Sequence, residues 1–264
     1  IPGHIFMAFD LGIDGGEARR TFANPDDLIY HEGSAWVPVE TTLQGDSFLQ
    51  AWATGARQYR EAERTGSAAF LPVREAWQVY EPTGFESQAL ALSFPSDEQI
   101  EERYRETIRA LVTREIAPQV AEIRDRLARR ESPRLYNRLG ALYARYGLYE
   151  DALAAFRDAT RGRPYAPAIH NIANIHYIRS EFGESLRNYH RALEIEPDNP
   201  RSMIGAARAH FALEQYREAT RLYREAEILA PEIVAPFAYI VNESLETGRA
   251  SLAAKRGTVQ WEDE

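Results

Sequence analysis

The sequence predicts an α+β N-terminal part, a partial sheet with one helix, followed by an all-α superhelix of repeated helix pairs. Three observations carry that reading. Prolines at 164, 197 and 231 recur at intervals of 33 and 34 residues, and other landmarks keep step with them. Residues 5–10, Ile-Phe-Met-Ala-Phe-Asp, form an apolar run of strand length near the start. Between these regions, Ser96-Asp97-Glu98-Gln99 has the pattern of a capping box opening a long helix. The resulting division is 1–95 for the α+β part, 96–131 for a helical joint and 132–264 for three repeat units with a capping helix.

Each repeat unit reads as two helices. The first supplies Tyr136, Leu139, Gly140 and Tyr143, then Ala152, Phe156 and Ala159. The second supplies Ile169, Ile172, Ala173 and His176, then Ser185, Tyr189 and Ala192. The third supplies Met203, Ala206, Ala207 and His210, then Ala219, Tyr223 and Ala226. Small residues at Gly140, Ala173 and Ala207 let paired helices approach, and Phe156, Tyr189 and Tyr223 fill the groove between units. This pattern resembles the tetratricopeptide repeat (TPR) family over about 133–247, with Ser185 standing where a small apolar residue is usual. A further helix, about 234–246 with Phe237, Ile240 and Val241, is expected to cap the stack.

The resemblance implies a superhelix whose concave face binds a polypeptide, or the protein's own N-terminal domain, or a long helix. Residues expected to face it are Asn137, His170, Asn171, Asn174, Tyr177, Arg201, Ile204 and Arg208. Amides and guanidinium groups suit a peptide backbone or a carboxylate. A two-carboxylate clamp is not expected, because Asn137, Ala141 and Gly205 occupy positions where it requires other side chains. His176 and His210 read as packed aromatics, since zinc would need more donors on one face.

In the joint, Ile100, Tyr104, Ile108 and Leu111 mark an apolar face, and Pro118 is expected to kink or split the helix. The N-terminal part begins with a strand expected to be buried on both faces, followed by a polar insertion from Gly12 to about Asp27. Leu28–His31 and Ala35–Val39 read as a hairpin, with Pro38 at an edge or bulge. An amphipathic helix from about Ser47 to Glu63 should bury Phe48, Trp52, Ala56 and Tyr59. The pieces Ala76–Tyr80 and Ala89–Phe94 read as edge strands or as segments that wrap the domain, with no function assigned.

Gly3-His4 ahead of the strand, with Trp36-Val37-Pro38-Val39-Glu40-Thr41-Thr42, resembles the second and third motifs of transglutaminase-like (papain-type thiol) domains over about residues 1–60. That resemblance implies His4 as general base and Glu40 as the carboxylate that orients it. Glutamate stands where aspartate is usual, and the interval from His4 to Glu40 is long. The sequence contains no cysteine, so the nucleophile of that chemistry is absent from these 264 residues. In family order it would precede His4, and the start at Ile1-Pro2-Gly3, without methionine, reads as a cut edge.

Composition narrows the function classes. A net charge of -9 argues against nucleic acid as the main partner. No apolar run approaches a membrane span, and no cofactor or metal is expected. Thirty of the 31 basic residues are arginine, scattered along helical stretches; Lys255 is the exception. The expectation is a bacterial multidomain protein, its compartment open with the periplasm slightly favoured. Its function is expected to be that of an interaction scaffold carrying the His/acid half of a transglutaminase-like domain. The alternative is a part of a thiol protease, amidase or transglutaminase whose cysteine lies upstream of Ile1.

Overall fold

The computed structural model describes residues 6–43, 47–79, 95–242 and 258–263. The chain divides into two compact units, Ile1–Pro118 and Gln119–Glu264. A small antiparallel sheet at the N-terminus is followed, among the described residues, by many helices.

In the first unit, β1 (Met7–Asp14), β2 (Ile29–His31) and β3 (Ser34–Val39) form a sheet in the order β1-β3-β2. The hairpin joining β2 to β3 turns on Glu32 and Gly33, both at positive φ, as a two-residue hairpin turn matching the strand twist requires. Pro38 lies in the central strand, opposite Ala8 of β1. The β2 pairing ends at Trp36, so Pro38 is flanked on one side only and its missing N–H interrupts no second ladder. The expectation of a first strand buried on both faces is corrected: Phe9 is 50% exposed and Met7 is similarly open. Among the described residues, β1 is an edge strand with nothing pairing on its outer side.

The polar insertion is ordered by short-range bonds. Asp14 caps α1 (Gly15–Thr21) by accepting from the Gly16 and Glu17 amides, and a 3₁₀ turn at Pro25–Asp27 leads into β2. Helix α2 (Phe48–Arg64) starts with a capping box between Ser47 and Gln50. It lies against β3 at Gly55, where a Cβ would come within 2.8 Å of the Pro38 carbonyl oxygen. Trp52 and Ala56 are buried as expected, joined by Ala51 and Ala62, whereas Phe48 is exposed. The core gathers Ala18, Leu28, Ala35, Val37 and Trp52, with Leu111 packed at its margin. The indole N–H of Trp52 donates to the Asp27 carbonyl, and the Arg114 guanidinium lies over its ring and pairs with the Asp27 carboxylate.

Residues Val73–Val79 form a helix, α3, which corrects the strand expected at 76–80; residues 89–94 lie outside those described. Helix α4 (Asp97–Arg129) opens with the expected capping box, Ser96 and Gln99 exchanging both bonds. It is one continuous helix through Pro118 rather than two. Its expected apolar face is also revised: Tyr104 is 67% exposed, Ile100 and Ile108 are exposed, and Leu111 alone of the four joins a core.

The second unit contains three helix pairs: α5 (Pro133–Arg145) with α6 (Tyr149–Ala159), α7 (Ala166–Ile178) with α8 (Phe182–Ile195), and α9 (Pro200–Ala212) with α10 (Tyr216–Leu229). The periodicity seen in the sequence reappears in the backbone. Gly147, Ser180 and Glu214 occupy equivalent places in the three connecting turns, and all have positive φ. Close packing is equally periodic. A Cβ on Gly140 would sit 2.5 Å from the Phe156 ring, and one on Gly205 would meet the Tyr189 ring. Phe156, Tyr189 and Tyr223 are buried where the groove-filling aromatics were expected. Buried Ser185 donates its hydroxyl to the Ala173 carbonyl, which explains a polar residue at a small-residue position. His176 and His210 clip the turns, bonding Glu181 and Gln215 at 2.5 and 2.6 Å.

The expected capping helix is broken into α11 (Pro231–Val234), a 3₁₀ turn at Ala235–Phe237 and α12 (Tyr239–Asn242). Pro236 lacks the N–H that a continued helix would use. Val234, Phe237 and Ile240 still cover the last pair, and residues 243–246 lie outside those described.

One stability prediction follows from the turns. Ser180 carries the left-handed conformation at φ 64° with no side-chain hydrogen bond among the described residues to reward it, where the first helix pair uses Gly147. Ser180→Gly is expected to raise the unfolding free energy by about 0.5–1 kcal/mol, the left-handed penalty outweighing the added chain entropy. Chemical denaturation measures this; an unchanged or lower midpoint would mean that the turn is not strained at Ser180.

Candidate functional site

The first helices of the three pairs, α5, α7 and α9, share one face, and buried polar side chains project from it. Buried amides and imidazoles need partners, because each unsatisfied group costs about 1–3 kcal/mol. Here the partner is polypeptide. The segment Thr258–Asp263 lies across these helices, and its main chain takes up their hydrogen-bonding capacity.

The Thr258 carbonyl accepts from Arg208 Nη1 at 2.7 Å. The Gln260 carbonyl is bonded by His170 Nε2 and Asn174 Nδ2, both at 2.9 Å. The Glu262 carbonyl accepts from Asn137 Nδ2 and Asn171 Nδ2, both at 2.7 Å. Asn171 Oδ1 also accepts the Glu262 amide N–H at 2.9 Å. One side-chain amide thus engages both main-chain groups of one residue, as a neighbouring strand would. Carbonyls at 258, 260 and 262 point the same way, which is the period of two of an extended chain.

These donors are themselves held in place. Asn171 Nδ2 also donates to Asn137 Oδ1 at 3.0 Å, one repeat away. Tyr189 donates its hydroxyl to Asn174 Oδ1 at 2.6 Å, which turns the Asn174 Nδ2 toward Gln260. His170 must donate from Nε2, because a carbonyl only accepts. Its Nδ1, 2.9 Å from the Ser202 hydroxyl, is therefore the acceptor in the neutral ring. Arg208 is 3% exposed, and its guanidinium is stacked between the rings of Tyr177 and Phe237, 4.5 and 4.6 Å from their centroids.

Side chains of the segment add further contacts. The Glu262 carboxylate, on a residue 5% exposed, accepts from Asn199 Nδ2 at 3.0 Å. Asp263 pairs with Arg145, Gln260 Nε2 donates to the Ile233 carbonyl, and Val259 packs against the apolar core of the helical unit.

Of the residues expected on this face, Asn137, His170, Asn171, Asn174 and Arg208 contact the segment directly. Tyr177 forms the floor beneath Arg208. Arg201 is exposed and makes none of the described bonds to the segment; its charge acts on His170 from a distance. The occupant differs in kind from the two intramolecular ones considered, the N-terminal domain and a long helix. Ser202, Asn199 and Arg145 were not anticipated. Asn199 was readable as the N-cap of α9, where it accepts from the Ser202 amide.

His170 makes docking pH-dependent. Burial holds its pKa below the usual 6.5, opposed by the Glu262 and Glu196 charges and reinforced by Arg201. The docked state therefore binds fewer protons than a state with His170 hydrated. Its stability is fully present above about 6.5 and is lost as pH falls from there toward the depressed value. Segment docking is expected to weaken on acidification from pH 7 to 5, read by hydrogen exchange of residues 258–263. His170→Gln should flatten that dependence, and an unchanged profile would remove His170 from the linkage.

In the first unit, His4 lies outside the described residues. Glu40 follows β3, is 2% exposed, and its Oε1 accepts from the Thr42 amide and hydroxyl at 2.9 and 2.7 Å. Its own amide donates to the Ala51 carbonyl of α2. Met7 of β1 pairs with Val39, the residue before Glu40. Among the described residues, no group of three or more His, Asp or Glu is placed to hold a metal, and no helix is long and apolar enough to cross a membrane. No protein-family model matches the sequence.

Proposed function

We propose that this chain is a protein-interaction scaffold whose tetratricopeptide-type repeats hold an extended polypeptide through its main chain. The observation that carries this reading is the set of bonds from Asn137, His170, Asn171, Asn174 and Arg208 to alternate carbonyls of residues 258–262. Bonds to carbonyls and amides do not depend on side-chain identity, so they suit a holder of polypeptide. The 33- and 34-residue recurrence of landmarks, the three helix pairs and the equivalent positive-φ turns support assignment of 133–242 to tetratricopeptide-like units.

Asn137→Ala with Asn171→Ala removes all three described side-chain bonds to the Glu262 main chain, at a cost of about 2–4 kcal/mol. With 5-fluorotryptophan incorporated, the Trp261 resonance, assigned through Trp261→Phe, should move to the free-peptide shift in the double variant alone. A Trp261 resonance unmoved by the two changes would overturn the role given to the face.

A second reading rests on Glu40. A buried carboxylate held by Thr42 supports its assignment as the orienting acid of a transglutaminase-like site, with His4 as base. In that reading the thiol is supplied by polypeptide upstream of Ile1. Glu40→Gln in the longer protein should then lower kcat at least about 100-fold while KM changes little, since the imidazole loses its orienting charge. Unchanged turnover would return Glu40 to a purely structural role.

A further inference from the structure

The segment on the shared face is imperfectly served by it. Glu262 Oε2 and Asp263 Oδ1 are buried, and neither has a hydrogen-bond partner among the described residues. Each carboxylate is satisfied through one oxygen only, Glu262 by Asn199 and Asp263 by Arg145. A buried carboxylate oxygen without a donor costs about 1–3 kcal/mol. Arg201 meanwhile remains exposed on the same helix, α9, as Arg208. The face therefore carries a cation that its own segment leaves unused among the described bonds.

We propose that Thr258–Asp263 is an internal pseudo-ligand, and that the face takes in trans an extended acidic peptide with which this segment competes. The proposal rests on the reading of the face as a holder of polypeptide and adds what that polypeptide is. The main-chain bonds require an extended stretch with free carbonyls at alternate positions. The Val259 position packs against the apolar core and asks for an apolar side chain. Two positions, those of Glu262 and Asp263, ask for carboxylates, because Asn199 and Arg145 meet them. The described bonds go to carbonyls within the segment, so an internal stretch of a partner satisfies them.

Competition follows from tethering. A segment in the same chain acts at an effective concentration on the order of millimolar when its tether is short, so a micromolar ligand is resisted strongly. Displacement then requires a partner that fills the unused donors, or a condition that unseats the segment.

The test uses the full chain and a fluorescein-labelled peptide of sequence Thr-Val-Gln-Trp-Glu-Asp, with binding read by anisotropy. Glu262→Arg with Asp263→Arg unseats the internal segment at its acidic end, and Val259→Asp unseats it at the core. Both variants are expected to bind the peptide at least about tenfold more tightly than the unmodified chain. Both should also prefer it at least about tenfold over the same peptide with arginine at the two acidic positions.

Equal affinity of the unmodified chain and both variants would overturn the pseudo-ligand role. Equal affinity for the two peptides would overturn the acidic class while leaving the face a holder of polypeptide. If neither peptide binds either variant while circular dichroism shows the helices intact, the holding function itself fails.

Discussion

Gly205→Ala is expected to lower the unfolding free energy of the helical unit by about 1–3 kcal/mol, an unusual cost for one methyl group on a helix. Alanine is the better helix former, so propensity alone predicts a gain of about 1 kcal/mol. Packing decides the sign. The space a Cβ would enter is filled by the Tyr189 ring, which is wholly buried and cannot swing into solvent. The effect should reach the candidate site as well. Tyr189 donates to Asn174, which donates to the Gln260 carbonyl, so a displaced ring loosens one grip on the segment. Urea denaturation measures the first effect and hydrogen exchange at 258–263 the second. A midpoint at or above that of the unmodified chain would show that the ring relaxes freely, against the packing described.

Arg208→Ala carries the second large effect, an expected loss of about 2–4 kcal/mol. The substitution empties the space between Tyr177 and Phe237 and removes the donor to the Thr258 carbonyl. Arg208→Lys should recover little of the loss, because an ammonium group cannot stack as a plane between two rings while donating sideways. Lysine restoring full stability would show that charge alone matters there. The same comparison separates core from site: Arg208→Met should keep much of the packing yet still lose the segment's Thr258 anchor.

The helical half was legible because its information is periodic. Landmarks spaced by 33 and 34 residues identify equivalent positions, and equivalent positions in a stack share an environment. That is why Asn137 and Asn171 could be named together, and why they meet across one repeat at 3.0 Å. Arg208 was readable for the same reason, as a cation on the shared face of the first helices. The occupant was not readable. Thr258–Asp263 has no periodicity of its own, and its contacts span up to 125 residues of sequence, from Asn137 to Glu262. Extended segments that dock through the main chain leave little trace in side-chain pattern.

The first unit shows where local rules stop. Its capping box at Ser96 was visible because it rests on residues three apart, whereas the one at Ser47, built the same way, was found only in the structure. The exposure of Met7 and Phe9 was not, because an apolar run does not reveal whether its strand sits at the centre or the edge of a sheet. Likewise the apolar residues of 76–79 suit a strand or a helix turn equally, and the backbone adopts α3. Pro38 pointed toward an edge, and the structure meets that requirement differently, by ending β2 before it. Glu40 was singled out by its surrounding string, and its burial and its bonds to Thr42 distinguish it from a surface carboxylate.

The central claim is that a shared helical face holds extended main chain, and the Glu262 amide reports on it most directly. Its N–H donates to a side chain, Asn171 Oδ1, rather than to any helix or sheet ladder, so its protection depends on docking alone. Hydrogen exchange of that amide, followed by NMR in the unmodified chain at pH 7, should be at least about 100-fold slower than in the isolated peptide, equivalent to about 2.7 kcal/mol of docking. Asn171→Ala should return it to the peptide rate while the amides of α7 keep theirs. Exchange at the free-peptide rate in the unmodified chain would contradict the account.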